Sequence, residues 1–186
     1  MIEWLALGAV LVVILAVVIT LVVVYNSFIS LKTQMENALA QIDVQTKRRF
    51  DLVPNLVETV KGYAKHEKGT LTEVTKARAA ISKASTPGGK LAAENLLTGA
   101  LKSLFAVSEN YPKLQANQNF LMLQEELSGI EGKIAFARQF YNDAIMRWNK
   151  QVQSFPSNVV AGLFGFKAQT HLEATAAERK AVKVKF

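Results

Sequence analysis

The chain has 186 residues, half of them hydrophobic, with no cysteine, two histidines and a formal net charge of +7. That length suits one modest domain plus an accessory segment. The lack of cysteine excludes disulfide frameworks and thiolate metal sites, and no carboxylate spacing joins the distant His66 and His171 into a metal site, so no cofactor is expected.

The first element is the uncharged run Trp4 to Val24, WLALGAVLVVILAVVITLVVV. At about 1.5 Å per residue it reaches roughly 30 Å, the thickness of a bilayer's hydrocarbon core. Trp4 and Tyr25 stand at its two ends, where aromatic rings favour the membrane interface. A cleaved signal peptide would need a basic start and an Ala-x-Ala-like exit, whereas this run starts at Met-Ile-Glu and leaves at Tyr25-Asn26-Ser27. The pattern predicts an uncleaved single-pass membrane anchor, with the lipid bilayer as partner. Glu3 is the only charged side chain before Lys32, and Lys47, Arg48 and Arg49 follow on the far side. The positive-inside rule then puts the N-terminus outside and the rest in the cytoplasm. Only Lys32 lies close, so the opposite topology stays open.

Beyond the anchor the period is helical. Phe28, Leu31, Met35, Ala38 and Ile42 form one seam, and Val53, Leu56, Val60 and Tyr63 resume it. Between them the seam meets Gln45 and Arg49. Pro54 predicts either a restart of the helix or a kink. Shorter helices are predicted over 69–83 and 91–109, with loops at Ser85–Gly89 and before Pro112. The longest seam is Phe120, Leu123, Leu127, Ile130, Ile134, Ala137, Tyr141, Ala144, Trp148, with steps of three and four throughout. Gly129 and Gly132 interrupt its outer faces as possible points of close helix approach. The expected fold is all-α: a transmembrane helix continuing into an antiparallel bundle with long coiled-coil-like helices. The expected division is 1–25 anchor, 26–155 bundle, and 156–186 apolar segment and basic tail, ending in the alternating AVKVKF.

Several stretches are candidate sites. Lys47-Arg48-Arg49 lies between Asp43 and Asp51, which form i,i+4 pairs with Lys47 and offset the cluster; this argues against a nucleic-acid grip. A seam arginine needs a carboxylate or amide opposite it, and Glu126, Asn142 and Asp143 are the expected partners of Arg49 and Gln45 in a structural polar layer. The rival is that Arg49 reaches out to water. Phe155, Val159, Val160, Leu163, Phe164 and Phe166 form an apolar patch too short to span a bilayer. It has three open uses: a membrane-interface contact, docking on the bundle, or oligomer packing. No catalytic constellation is found, and the chain is read as non-enzymatic.

The stretch QIDVQTKRRFDLVPNLVETVKGYAKHE, with VTKARAA, ENYPKLQANQNFLMLQEEL, ARQFYNDAI and FPSNVVAGLFGF following in order, strongly resembles the LemA family of bacterial membrane proteins. The resemblance covers nearly the whole chain. It implies a short N-terminal tail, one membrane helix and a helical bundle, and no catalytic residues. Some relatives belong to machinery that shapes magnetosome membranes, so the resemblance implies membrane organisation. The expected function is a membrane-anchored scaffold that self-associates into a homo-oligomer and organises membrane or recruits partners. The alternative is a regulator or adaptor of another membrane protein, such as a protease or sensor.

Overall fold

The computed structural model describes residues 1–64 and 66–172. All its regular elements are helices: α1 (Ile2–Tyr63), α2 (Lys68–Lys83), α3 (Pro87–Ser108), α4 (Pro112–Gln115), α5 (Gln118–Gln153) and α6 (Ser157–Phe164). The alternating AVKVKF stretch lies outside the described residues. The chain divides into two compact units, one built from 1–40 with the described residues from 137 onward, the other from 41–136. Helices α1 and α5 contribute to both.

The first unit holds the apolar run. Residues 2–20 of α1 are exposed throughout, and Thr20 Oγ1 donates to Ala16 O at 2.8 Å, so its one hydroxyl is satisfied within the helix. This helix is long and apolar enough to cross a membrane. From Val24 the seam turns inward. Phe28, Leu31 and Met35 pack with Ala144, Ile145, Trp148 and Ala161. Gln151 Nε2 donates to Val24 O at 3.3 Å, and the Phe28 and Trp148 rings meet edge-on at 5.0 Å, so α5 runs antiparallel to α1 here.

Helix α6 ends at Gly165, whose φ of 70° is the left-handed conformation glycine adopts freely. Phe166 N–H closes the turn by donating to Ala161 O at 2.9 Å. The turn places Phe166 between Phe28 (4.7 Å) and Trp148 (5.3 Å). Beyond it the chain lies along α5. Trp148 Nε1 donates to Lys167 O. The Asn149 amide exchanges two hydrogen bonds with Gln169, and the Asn142 amide exchanges two with Leu172. The spacings match: two helical turns between the asparagines cover about 10.5 Å, and three extended residues cover about 10 Å. The two side-chain amides thus serve the peptide groups as a neighbouring strand would.

The second unit is a helical bundle around Val53, Leu56, Val60, Leu71, Val74, Leu97, Leu101, Leu104, Leu114, Phe120 and Leu127. Tyr63 is not part of this seam; it is exposed, its hydroxyl accepting from Asn117 Nδ2 at 2.9 Å, while Val57 and Ala64 take the buried positions. Ser85–Gly89 is also less of a loop than its composition predicts. Thr86 is an N-cap whose Oγ1 accepts from Gly89 N–H at 3.1 Å, and Pro87 opens the first turn of α3, where a missing N–H costs nothing.

The αL turn gives a matched pair of predictions. Gly165→Ala should destabilise the protein by about 1–2 kcal/mol, since an L side chain is strained at that φ. Gly162→Ala, where an added Cβ meets nothing within 4 Å, should instead be neutral or gain up to about 1 kcal/mol of helix propensity. Thermal denaturation of the two variants checks both signs.

Candidate functional site

The most polar part of the second unit's interior is built on Arg48, Arg49, Phe50 and Pro54 of α1. Arg49 is 1% exposed and is the largest fully buried side chain among the described residues. Its guanidinium Nη1 donates to Thr98 Oγ1 of α3 at 2.9 Å and pairs with the Glu131 carboxylate of α5. Thr98 Oγ1 also lies 3.1 and 3.2 Å from the two Glu131 oxygens and can donate to them. One cation, one hydroxyl and one carboxylate therefore join three helices. Arg49 Nε and Nη2, Gln45 Oε1 and Thr46 Oγ1 are buried without partners, so the layer is under-satisfied and its desolvation is costly.

The other expected members of the layer take different bonds. Glu126 accepts from Arg48, at 2.9 Å from Nε and 2.5 Å from Nη2, in a partly exposed pair. Asn142 holds the backbone of Leu172 in the first unit, and Asp143 is exposed. The carboxylate opposite Arg49 is Glu131, which is not a member of the apolar seam of α5. Gln45 is half-buried. Lys47 and Asp51 pair at 3.0 Å on the surface.

Pro54 sits inside an unbroken α1. Having no N–H, it cannot donate to the carbonyl of Phe50, four residues back. That carbonyl accepts instead from Arg78 Nε of α2 at 3.0 Å. The same guanidinium lies 3.9 Å from the centroid of the Phe50 ring, a cation–π contact that fixes its approach. Proline thus opens an acceptor in the helix wall, and α2 is tied on through it. The pattern could have disclosed the free carbonyl, but only the fold brings Arg78 to it.

At the far end of this bundle Tyr111 donates to Glu67 Oε1 at 2.8 Å. That hydrogen bond, with burial and the carboxylate's charge adding to it, holds the phenol above its ordinary pKa. Gly129 and Gly132 approach no neighbouring helix, since a Cβ at either would meet nothing within 4 Å. They line, with Gln41, Gln45, Lys133 and Phe136, an open groove of about 430 Å³. Among the described residues no three His, Cys, Asp or Glu side chains are grouped to hold a metal.

In the first unit, Trp4 is exposed near the start of the apolar run, whereas Val24 packs against the core and Tyr25 rests on Phe164 at 4.7 Å. Val160 is buried and Phe166 half-buried, while Phe155, Val159, Leu163 and Phe164 are exposed.

The fold and these sites define an all-helical protein in which several interior polar groups tie helices together and whose first helix has membrane-spanning length. The chain belongs to the LemA family, whose profile matches residues 38–186. It is 26% identical over 186 aligned residues to magnetosome protein MamQ 2 of Paramagnetospirillum magneticum, covering 86% of this chain and 68% of that one. It is also 26% identical over 140 residues to protein LemA of Metamycoplasma hominis (73% and 63% covered), and 24% identical over 178 residues to MamQ of Magnetospirillum gryphiswaldense (82% and 65%). The chain thus spans about two thirds of the length of these relatives.

Two predictions test the polar joints. Glu131→Ala should cost about 2–3 kcal/mol in denaturant unfolding; the full cost of stranding a buried charge is reduced because Glu131 itself is 37% exposed. Arg78→Ala should cost about 2 kcal/mol by leaving the Phe50 carbonyl unpaired. In a Pro54→Ala background the helix supplies its own donor, so the cost of Arg78→Ala should fall by about 1 kcal/mol or more; additivity in this cycle would show that the proline and the arginine are not linked.

Proposed function

We propose that this protein is a membrane-anchored, non-enzymatic helical scaffold that self-associates and organises bacterial membrane or recruits proteins to it. The observation that carries the reading is α1 itself. Its residues 4–20 form a bare, uncharged apolar surface, and the same unbroken helix supplies core residues to both units. The relatives named as magnetosome proteins support this reading. The fingerprint residues support a non-enzymatic role: Arg48, Arg49 and Arg78 are each engaged with another helix of the bundle.

Self-association draws on the groove at Gly129 and Gly132. Two glycines a turn apart on α5 expose backbone, and Phe136 beside them is 68% exposed. Small residues of this kind let a helix from another copy approach closely. The orientation proposed is N-terminus outside and both units in the cytoplasm. Lys32 supports it. So do Arg147 and Lys150, which the antiparallel course of α5 carries toward the Val24 end of α1 in the first unit, where anionic headgroups would attract them.

The test uses the groove. Gly129→Ala with Gly132→Ala should raise the stability of the single chain by about 1 kcal/mol per site and reduce crosslinked oligomers in membranes. Unchanged crosslinking would remove the groove from the reading. A wild-type chain that stays strictly monomeric in membranes would remove self-association, and a stoichiometric capture of a different membrane protein would favour an adaptor instead. Because the native chain has no cysteine, one engineered at position 186 should be shielded from a membrane-impermeant thiol reagent in intact cells if the proposed orientation holds.

A further inference from the structure

We infer that α6 is a second membrane contact: a short helix lying in the bilayer interface beside the point where α1 leaves the membrane. The inference rests on the membrane-anchored reading of α1 above. A surface helix in water carries one apolar face and one polar face. Helix α6 does not. Ser157, Val160 and Ala161 are buried on its docked side, while Val159, Leu163 and Phe164 on its other sides are exposed, as is Phe155 just ahead of it. No charged residue occurs from Ser154 to Phe166. Apart from Asn158 its exposed side is apolar, and such a helix needs a second apolar environment.

Its position says which one. The Phe164 ring packs on Tyr25 at 4.7 Å, and Tyr25 ends the apolar run that makes α1 long enough to span a bilayer. Gln151, near the end of α5, bonds the carbonyl of Val24. Phe155 follows two residues after the end of α5, whose last turns run toward the apolar run. The exposed face of α6 is therefore continuous with the exposed apolar surface of α1, and the same lipid that surrounds residues 2–20 reaches it. The charge fits an interfacial helix: from Ala144 to Leu172 the chain carries Arg147, Lys150 and Lys167 and no acid. Bases flanking an apolar helix match a bilayer surface bearing anionic headgroups. The Phe164, Phe166 and Tyr25 rings sit where an aromatic belt forms. The result is a two-point attachment, which holds the first unit at a fixed tilt where a single spanning helix would let it swivel.

Depth measurements on the full chain test this. Single nitroxide labels are placed through Val159→Cys and Leu163→Cys, with Leu11→Cys inside the apolar run and Glu125→Cys on the exposed surface of the second unit as references. The protein is reconstituted in vesicles of phosphatidylethanolamine and phosphatidylglycerol. Collisions with molecular oxygen, which concentrates in lipid, are compared with collisions with a water-soluble nickel chelate. The labels at 159 and 163 are expected to show an oxygen-to-nickel ratio severalfold above that at 125 and below that at 11. A ratio equal to that at 125, with Leu11→Cys deep in lipid, overturns the interfacial helix and leaves the anchor standing. Exclusion of both reagents from 159 and 163 also overturns it, and assigns the face to a second copy or a protein partner. A label at 11 that reads as aqueous overturns the anchor and this inference together.

Discussion

The second unit depends on how a buried cation is held. Arg49 cannot leave the interior without removing the seam of α1 from the core, because Val53 and Leu56 follow it on the same inward face. Its charge must be met by groups brought to it, and those groups come from two other helices. The requirement is geometric as well as electrostatic. Thr98 bridges the guanidinium and the Glu131 carboxylate, so α3 and α5 are each placed relative to α1 by one shared set of hydrogen bonds. Burying such a set is a poor source of net stability, and apolar residues of similar size would often serve as well or better. Such a set is better suited to rejecting other arrangements than to adding stability.

One turn further along α1, the Pro54 joint works by the opposite logic. There the helix lacks a donor, not a partner for a charge. The carbonyl of Phe50 would cost about 1–3 kcal/mol if left buried and unpaired. Arg78 removes that cost and adds its contact with the Phe50 ring. The two joints lie next to each other, at Arg49 and at Phe50. Together they tie α2, α3 and α5 to one short stretch of α1, and Arg48 with Glu126 adds a second link to α5 at the surface.

Much of this was legible in the sequence because it follows from periodicity. The seams from Phe28 to Ile42 and from Phe120 to Trp148 are inward-facing where their spacing put them, with Leu123 and Tyr141 only partly covered. The polar joints were harder for a physical reason. Periodicity says which face of a helix is buried, but it does not say which level of one helix stands opposite which level of another. Glu126 and Glu131 are both near enough in sequence to have met Arg49, and only the register of α5 selects Glu131. Asn142 was harder still, since its partner is a peptide group in an extended segment thirty residues away. The start of α3 is a different case: Thr86 followed by Pro87 is a helix-opening pattern, but two glycines after it read as a loop until the cap is seen.

The register that the sequence left undetermined is the property the polar layer supplies. A seam repeating every three and four residues can slide by a turn or by a heptad and still bury apolar side chains. Slid by one turn, Arg49 would face the level of Ile134, where no carboxylate stands, or that of Leu127, where the nearest carboxylate, Glu126, is the one that Arg48 uses. Slid by a heptad, it would face the level of Gln124 or of Arg138, another cation. Each alternative keeps most of the apolar burial and loses the Arg49–Glu131 pair, at a cost of about 2–3 kcal/mol once the partial exposure of Glu131 is allowed for. The apolar seams are compatible with several registers of α1 and α5, and the observed one is that in which Arg49 meets Glu131.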